Sequence, residues 1–179
     1  LPACVIVNPR LVPDFPAAEL AGVGVAFYVL LALRAALREL GDAAGTANLA
    51  ELLDRVALGT VADVVALDAA NRILVEQGLR RMRAGHASPG VRALIAVAGR
   101  DAERLTSADL GFSLGPRLNA AGRLADMTHG IECLLAEDDT QAQQLAEELD
   151  AINRDRRLIE TGMQREADVQ LARLDVKKL

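Results

Sequence analysis

Asp63 is the residue of this sequence whose surroundings point most directly to chemistry. It stands in an otherwise apolar stretch, residues 57–67, which reads ALGTVADVVAL. A carboxylate among apolar residues must be hydrogen-bonded, ion-paired or bound to a metal, because burying it without a partner is costly. From spacing alone, an aspartate that caps the next helix or pairs with an arginine is the favoured interpretation. A divalent metal is the alternative, but it needs several oxygen ligands and no neighbour supplies them.

Residues 115–123, which read GPRLNAAGR, place two arginines and an asparagine among glycines and alanines. The small residues allow another backbone or a ligand to approach closely, and arginine binds phosphate through two parallel hydrogen bonds. Arg117 and Arg123 are six residues apart, so on one continuous helix they would face different directions. A turn near Gly122 would bring them together. The alternative is that these arginines cap or brace neighbouring helices.

The remaining candidates in the sequence are weaker. A glycine pair, Gly22 and Gly24, precedes a helix and could cradle a phosphate at its N-terminus. It lacks a strand directly before it and a third glycine, so close helix packing is the favoured use. His86 and His129 have no partner at metal-ligand spacing, and no serine or cysteine nucleophile is recognisable.

Helical periodicity dominates the elements that must position these side chains. Helices are predicted over residues 20–40, 47–58, 71–82, 91–98, 107–114 and 127–135, with a last helix from a cap at 138–141 to the chain end. Gly41 is predicted to end the first helix, and Gly59-Thr60 to break the second. Ser88-Pro89 predicts a helix start. One buried strand is predicted at Val5-Ile6-Val7.

The last predicted helix is unusually long. From residue 140 to 174 it would span about 50 Å, and it is polar on most faces, which is typical of a strut between two bodies. The longest apolar stretch, residues 20–33, is shorter than the roughly 20 residues that a membrane span requires. We therefore expect a cytoplasmic protein with no membrane partner.

Composition and charge exclude several classes of protein. Of the 179 residues 51% are hydrophobic, which excludes intrinsic disorder. Two cysteines exclude a disulfide scaffold and fit a reducing compartment. The net charge of −5 excludes a protein that coats nucleic acid by bulk charge. Residues 72–123 nevertheless hold nine arginines and four acids, which indicates either solvated helix faces or a basic strip facing a phosphate backbone.

Four stretches, in this order, resemble the RecJ family, single-strand-specific DNA exonucleases of the DHH phosphoesterase superfamily. They are residues 20–27, 56–65, 71–75 and 115–123, and the resemblance extends from Val5 to about Met163. The LGTVAD and GPRLNAAGR stretches are the most specific part of it. The resemblance implies a 5′-to-3′ exonuclease that hydrolyses single-stranded DNA to mononucleotides in DNA repair and recombination, with two Mn²⁺ or Mg²⁺ ions.

The resemblance also implies roles for individual residues. Asp63 matches the last metal-binding aspartate of the family, which reverses the interpretation drawn from spacing alone. Arg117 matches the arginine that faces the DNA phosphates, and Asn119 and Arg123 would shape the same pocket or brace it. Ala66 stands where the family pattern has proline, which affects a turn rather than a ligand.

The implied fold is a segment of an α/β phosphoesterase. The segment itself is expected to be mostly α-helical, with one or few short strands and a long C-terminal connecting helix. Residues 1–136 would form the C-terminal part of the DHH catalytic domain, and residues 137–179 the helix toward a second catalytic domain. The family's Asp-x-Asp and Asp-His-His motifs and its glycine-rich second domain do not occur in the sequence. The segment is therefore expected to be an internal fragment that is inactive alone.

Two other functions stay open at the level of sequence. One is a DHH phosphodiesterase for nucleotides or short oligonucleotides. The GPRLNAAGR stretch favours the exonuclease over this alternative. The other is a non-catalytic helical interaction module in which Asp63 and Arg117 are only structural. If both side chains serve the exonuclease, they should open on one concave surface, whereas opposite faces would favour the module.

Overall fold

The computed structural model describes residues 4–124 and 126–173, and these residues are predominantly α-helical. Short 3₁₀ turns and one π-helical turn, Leu110–Leu114, connect or extend the helices. The α-helices are α1 (Gly22–Glu39), α2 (Leu53–Ala62), α3 (Ala69–Arg83), α4 (Pro89–Val97), α5 (Ser107–Asp109), α6 (Gly115–Leu124), α7 (Thr128–Leu135) and α8 (Asp139–Arg173). The expectation of a mostly helical segment with a long last helix is confirmed.

The strand predicted at Val5-Ile6-Val7 is wrong. These three residues form no regular element, and their side chains are 77%, 72% and 61% exposed. A strand requires a neighbouring backbone that accepts and donates its ladder hydrogen bonds. No segment within residues 4–124 and 126–173 forms a strand that could supply that edge.

The helix break predicted at Gly59-Thr60 is also wrong, because α2 continues through both residues to Ala62. A Cβ on Gly59 would lie 3.0 Å from the Cγ1 of Val23 in α1, so the missing side chain lets α1 pack closely against α2. Thr60 is fully buried on the same helix. Gly59 therefore serves packing between helices rather than termination of one.

Most other predicted boundaries are confirmed. Gly41 follows α1 with φ +71°, a conformation that glycine adopts without strain. Ser88 is the N-cap of α4 and Pro89 is its first residue. The Asp138 carboxylate accepts a hydrogen bond of 2.8 Å from the backbone N–H of Gln141, which caps the start of α8.

The core has a large cluster and a small one. The large cluster joins α2, α3, α4, α6 and α8 through fully buried leucines, among them Leu58, Leu94 and Leu149. The small cluster, centred on Phe27 and Leu74, holds α1 against α2 and α3. Because α2 contributes to both clusters, it is the element around which the other helices pack.

The long helix α8 has a buried and an exposed half. Ala142, Ala146, Leu149 and Asn153 are fully buried against the body. Beyond Arg156 every described side chain of α8 is exposed. No helix within the described part of the chain is both long enough and apolar enough to cross a membrane.

Two glycine substitutions test this packing. A Cβ on Gly78 of α3 would overlap the backbone oxygen of Leu53 and the Cβ of Ala57, whereas nothing lies within 4 Å of a Cβ on Gly162 of α8. We expect Gly78→Ala to lower the free energy of unfolding by about 1–3 kcal/mol. Gly162→Ala should raise it by up to about 1 kcal/mol, because alanine is the better helix former. Urea denaturation measures both, and equal effects would contradict the packing described here.

Candidate functional site

Asp63 lies at the C-terminal end of α2, where it is the C-cap residue. The buried residues of this stretch, such as Ala57 and Leu58, lie on the inner face of the helix, and Asp63 emerges from it into solvent. The next helix, α3, is capped instead by Asp68, whose carboxylate accepts from the backbone N–H of Asn71 at 2.8 Å. Within residues 4–124 and 126–173 nothing donates a hydrogen bond to the Asp63 carboxylate or pairs with it. The capping and arginine-pairing alternatives are therefore excluded among the described residues.

The Asp63 side chain opens on a cleft of about 380 Å³, called here the Asp63 cleft. Four elements form it: the start of α1, the end of α2, the middle of α6, and α7 with its N-cap residue. Its lining residues are Gly22, Val23, Gly59, Ala62, Asp63, Leu118, Asn119, Met127 and Leu134. An exposed aspartate and an asparagine therefore line one largely apolar cleft.

The backbone that follows Asp63 is held in an unusual conformation. Val64 has φ +56°, which is strained for a β-branched residue, and its side chain is 87% exposed. The buried amide of Asn71 holds the segment in place by donating 2.8 Å hydrogen bonds to the backbone oxygens of Ala66 and Glu19. The chain therefore leaves α2 in a fixed direction at the edge of the cleft.

Arg117 points away from the Asp63 cleft, into the body. It is 8% exposed, and its Nε donates to the Asp150 carboxylate of α8 at 2.9 Å. Its Nη2 lies 2.7 Å from the same carboxylate oxygen, which makes the contact an ion pair. Its Nη1 donates to the backbone oxygen of Ser113 at 2.6 Å. The expectation that Arg117 and Asp63 open on one concave surface is wrong, because the guanidinium is already bound by acceptors of this chain. For Arg117 the geometry favours the bracing alternative, as a structural role in an interaction module would require. The choice between the module and the exonuclease therefore depends on Asp63 and on the comparison with known proteins.

Asn119 and Arg123 lie on the opposite face of α6 from Arg117. Both are exposed and one helical turn apart. Since α6 is continuous from Gly115 to Leu124, no turn at Gly122 brings the two arginines together. The structure thus brings Asp63 and Asn119 to one cleft. Arg123 lies one turn from Asn119 on the same face of α6. Arg117 lies on the other face of α6, away from these residues.

A second cleft of about 450 Å³, called here the Phe112 cleft, adjoins the first and shares Ala62 and Asn119 with it. Its other lining residues are Val61, Val64, Val65, Leu67, Ser107, Ala108, Gly111 and Phe112. Sequence reasoning missed this feature. The available signal was the spacing of Leu110 and Leu114, which face inward four residues apart and leave Phe112 on the outer side.

The helical segment that carries Phe112 begins with a capping box. The hydroxyl and backbone N–H of Thr106 donate to the Asp109 carboxylate at 2.7 and 2.9 Å, and these hydrogen bonds hold the pKa of Asp109 below its ordinary value. Arg100, 3.4 Å from the Asp109 carboxylate, adds a smaller effect in the same direction. The start of the segment therefore stays anchored through the neutral pH range.

The donor set for a metal is partial. Within the described residues no group of three or more His, Cys, Asp or Glu side chains could hold a metal ion. The exposed Asp63 carboxylate fits a divalent cation as one ligand, because Mg²⁺ and Mn²⁺ bind carboxylate oxygens. Further ligands would have to come from residues outside the described part of this chain.

Comparisons with known proteins support the resemblance found in the sequence. No protein-family profile matches the chain. The single-stranded-DNA-specific exonuclease RecJ of Dickeya dadantii is 62% identical over 173 residues, and that of Escherichia coli is 60% identical over 173 residues. Each alignment covers 93% of this chain and 30% of the relative. The chain thus spans about a third of the length of the curated relatives that it matches.

Solved structures agree with the sequence comparison. Crystal structures of RecJ from Thermus thermophilus in complex with Mn²⁺ and with Mg²⁺ share 36% identity with this chain, with TM-scores of 0.74 and 0.75. The alignments cover 88% and 89% of this chain, but only 22% and 24% of the two RecJ chains. The helical fold expected from the resemblance is confirmed.

The Arg117–Asp150 pair can be tested by substitution. Asp150→Ala leaves the Arg117 guanidinium buried without its anion, so we expect the free energy of unfolding to fall by about 3–5 kcal/mol. The double variant Arg117→Met/Asp150→Leu should recover a large part of that loss. Arg123→Met, an exposed arginine of the same helix, is the matched control and should change stability by no more than about 0.5 kcal/mol. Equal effects of Asp150→Ala and Arg123→Met in urea denaturation would contradict a bracing role.

Proposed function

Since the chain belongs to the RecJ family over the segment that it spans, we propose that it is part of a metal-dependent exonuclease acting on single-stranded DNA. The proposed reaction is hydrolysis from the 5′ end to mononucleotides, in DNA repair and recombination. The observation that carries the proposal is the exposed Asp63 carboxylate, which opens on a cleft with Asn119 and has no protein partner among the described residues.

Asp63 would hold a divalent cation in this reaction. When bound, two Mn²⁺ or Mg²⁺ ions supply an activated water and neutralise charge on the scissile phosphate. The contribution of this chain is one carboxylate, held at the end of a helix packed on both sides. We propose that the remaining ligands come from other parts of the full-length protein.

The exposed face of α6 would bind the phosphate backbone. The Asn119 amide lines the Asp63 cleft and can donate to a phosphate oxygen, and the Arg123 guanidinium lies one turn further along. Gly22, the first residue of α1, lines the same cleft, and the N-terminus of a helix favours anions. Asn119 and Gly22 would thus offer donors for a phosphodiester in the cleft that Asp63 lines, and Arg123 would extend this surface along α6.

Arg117 acts on this site only indirectly in the proposal. By joining α6 to α8 through Asp150, it fixes the helix from which Asn119 and Arg123 project. We propose that residues 1–136 belong to one catalytic domain and that residues 137–179 connect it to a second. The exposed distal half of α8 supports that division.

Removal of the carboxylate at position 63 tests the proposed function. In the full-length protein, Asp63→Asn should reduce hydrolysis of a single-stranded oligonucleotide in Mn²⁺ by at least about 100-fold, because the neutral amide is a poor ligand for a hard cation. Circular dichroism should show an unchanged helix content. Asp155→Asn, an exposed aspartate on α8, is the matched control and should retain activity. Near-normal turnover of Asp63→Asn would refute the ligand assignment.

The isolated chain provides a second test. Because it offers a single carboxylate at the cleft, residues 1–179 alone should bind Mn²⁺ weakly and release no nucleotides from single-stranded DNA. Calorimetric titration with Mn²⁺ and a nuclease assay measure both properties. Tight Mn²⁺ binding that disappears in Asp63→Asn would show that this chain already holds a complete site, contrary to the proposal.

A further inference from the structure

Phe112 is exposed to an extent that folding of this chain does not explain. Its ring is 82% exposed, whereas Leu110 and Leu114, two residues to either side, are fully buried. The three residues lie in the π-helical turn between α5 and α6, and such turns occur frequently at functional sites. The buried leucines anchor the turn, and the ring projects from its outer side.

The surroundings of Phe112 form an apolar slot with polar ends. The strained Val64, 87% exposed, lines the Phe112 cleft together with Leu67 and Gly111. Ser107 and Asn119 are its polar lining residues. A flat ring with an apolar face and polar edges matches this combination, which is the chemistry of a nucleobase.

The position of the slot relates it to the proposed site of hydrolysis. Ala62 and Asn119 line both the Phe112 cleft and the Asp63 cleft. Asp63 itself directly precedes Val64 in the chain. A DNA strand with one phosphate in the Asp63 cleft would therefore place an adjacent base in the Phe112 cleft.

Positive charge lies at the rim of the slot. The exposed Arg72 side chain donates from Nε to the backbone oxygen of Leu67 at 2.6 Å, which fixes its guanidinium beside a residue of the cleft lining. No ion pair joins Arg72 to another residue in the described part of the chain. An aromatic surface beside a cation is the arrangement by which proteins bind single-stranded nucleic acid, since the ring stacks on the base and the cation attracts the phosphate.

We propose that Phe112 is a base-stacking platform for single-stranded DNA, with Val64 as the facing wall and Arg72 as the contact to the backbone. The proposal rests on the proposed function and names a binding subsite within it. In a duplex, both faces of an internal base are covered by its neighbours, so only an unpaired, unstacked base can lie on Phe112. The platform would therefore contribute to selection of single strands.

The test measures binding separately from hydrolysis. A fluorescein-labelled 16-residue oligothymidylate is titrated with the full-length protein in EDTA, and anisotropy gives Kd. Phe112→Ala should weaken binding by about 5- to 100-fold, the range for loss of one stacked base. Phe112→Tyr should stay within about twofold of the unsubstituted protein, and Phe112→Leu should lose nearly as much as alanine. Phe15→Ala, an exposed phenylalanine outside the cleft, is the matched control.

An abasic scan identifies stacking as the cause. Replacing one nucleotide at a time by an abasic analogue should weaken binding of the unsubstituted protein most at one position near the 5′ end. With the oligonucleotide that is abasic at that position, Phe112→Ala should bind as tightly as the unsubstituted protein. The base and the ring contribute to affinity through one contact, so removing both costs no more than removing one. Additive losses at every position, or unchanged affinity of Phe112→Ala, would overturn the platform.

Two further outcomes are decisive. Phe112→Ala will fail to fold if another part of the protein covers the ring. In that case the affinities of Phe112→Leu and Phe112→Tyr decide. A Phe112→Leu variant that binds as tightly as the unsubstituted protein would overturn the platform.

Hydrolysis of the oligonucleotide in Mn²⁺ distinguishes failure of the platform from failure of the proposed function. The platform alone would be refuted by the following combination: the unsubstituted protein digests the oligonucleotide, Asp63→Asn is inactive, and Phe112→Ala binds normally. A protein that neither binds nor digests the oligonucleotide would refute both.

Discussion

The arrangement depends on the close packing of α2 against the helices on either side of it. Gly59 admits Val23 of α1 to the surface of α2, and Gly78 of α3 brings its backbone against Leu53 and Ala57. With side chains at these two positions the helices would have to separate. Because α2 contributes to both core clusters, its last turn has little freedom, and Asp63 at its end is held in place by the core. The metal ligand proposed at this position would require such fixed geometry, since coordination tolerates little displacement.

Helix α6 has a packing role on one face and, in the proposed function, a binding role on the other. Its inner face carries Arg117, whose buried ion pair with Asp150 joins the body to α8. Its outer face carries Asn119 and Arg123, which remain accessible. Both faces belong to the same GPRLNAAGR stretch, so in the proposed function that stretch would meet two requirements. One is packing against α8, and the other is a polar surface beside the Asp63 cleft.

Much of the architecture follows from sequence, because helix periodicity and capping are local properties. The stop at Gly41 and the start at Ser88-Pro89 required only neighbouring residues. The errors concern contacts between distant segments. From sequence alone Gly59 predicts a helix break, because its packing partner, Val23, lies 36 positions earlier and local patterns do not show it. The sequence likewise contains no sign that Arg117 would meet Asp150. The assignment of Arg117 to the DNA phosphates rests on the family resemblance alone. The apolar residues around Asp63 suggest a buried carboxylate, whereas the structure exposes it, and its role as a metal ligand stays a prediction.

The assignment of Asp63 is tested most directly by measuring how many Mn²⁺ ions the full-length protein binds with and without that carboxylate. Equilibrium dialysis with detection of free Mn²⁺ by electron paramagnetic resonance gives both the number of ions and their affinities. We expect the unsubstituted protein to bind two ions per chain and Asp63→Asn to lose one of them, or to bind it at least tenfold more weakly. Two ions bound with unchanged affinities in Asp63→Asn would contradict the account.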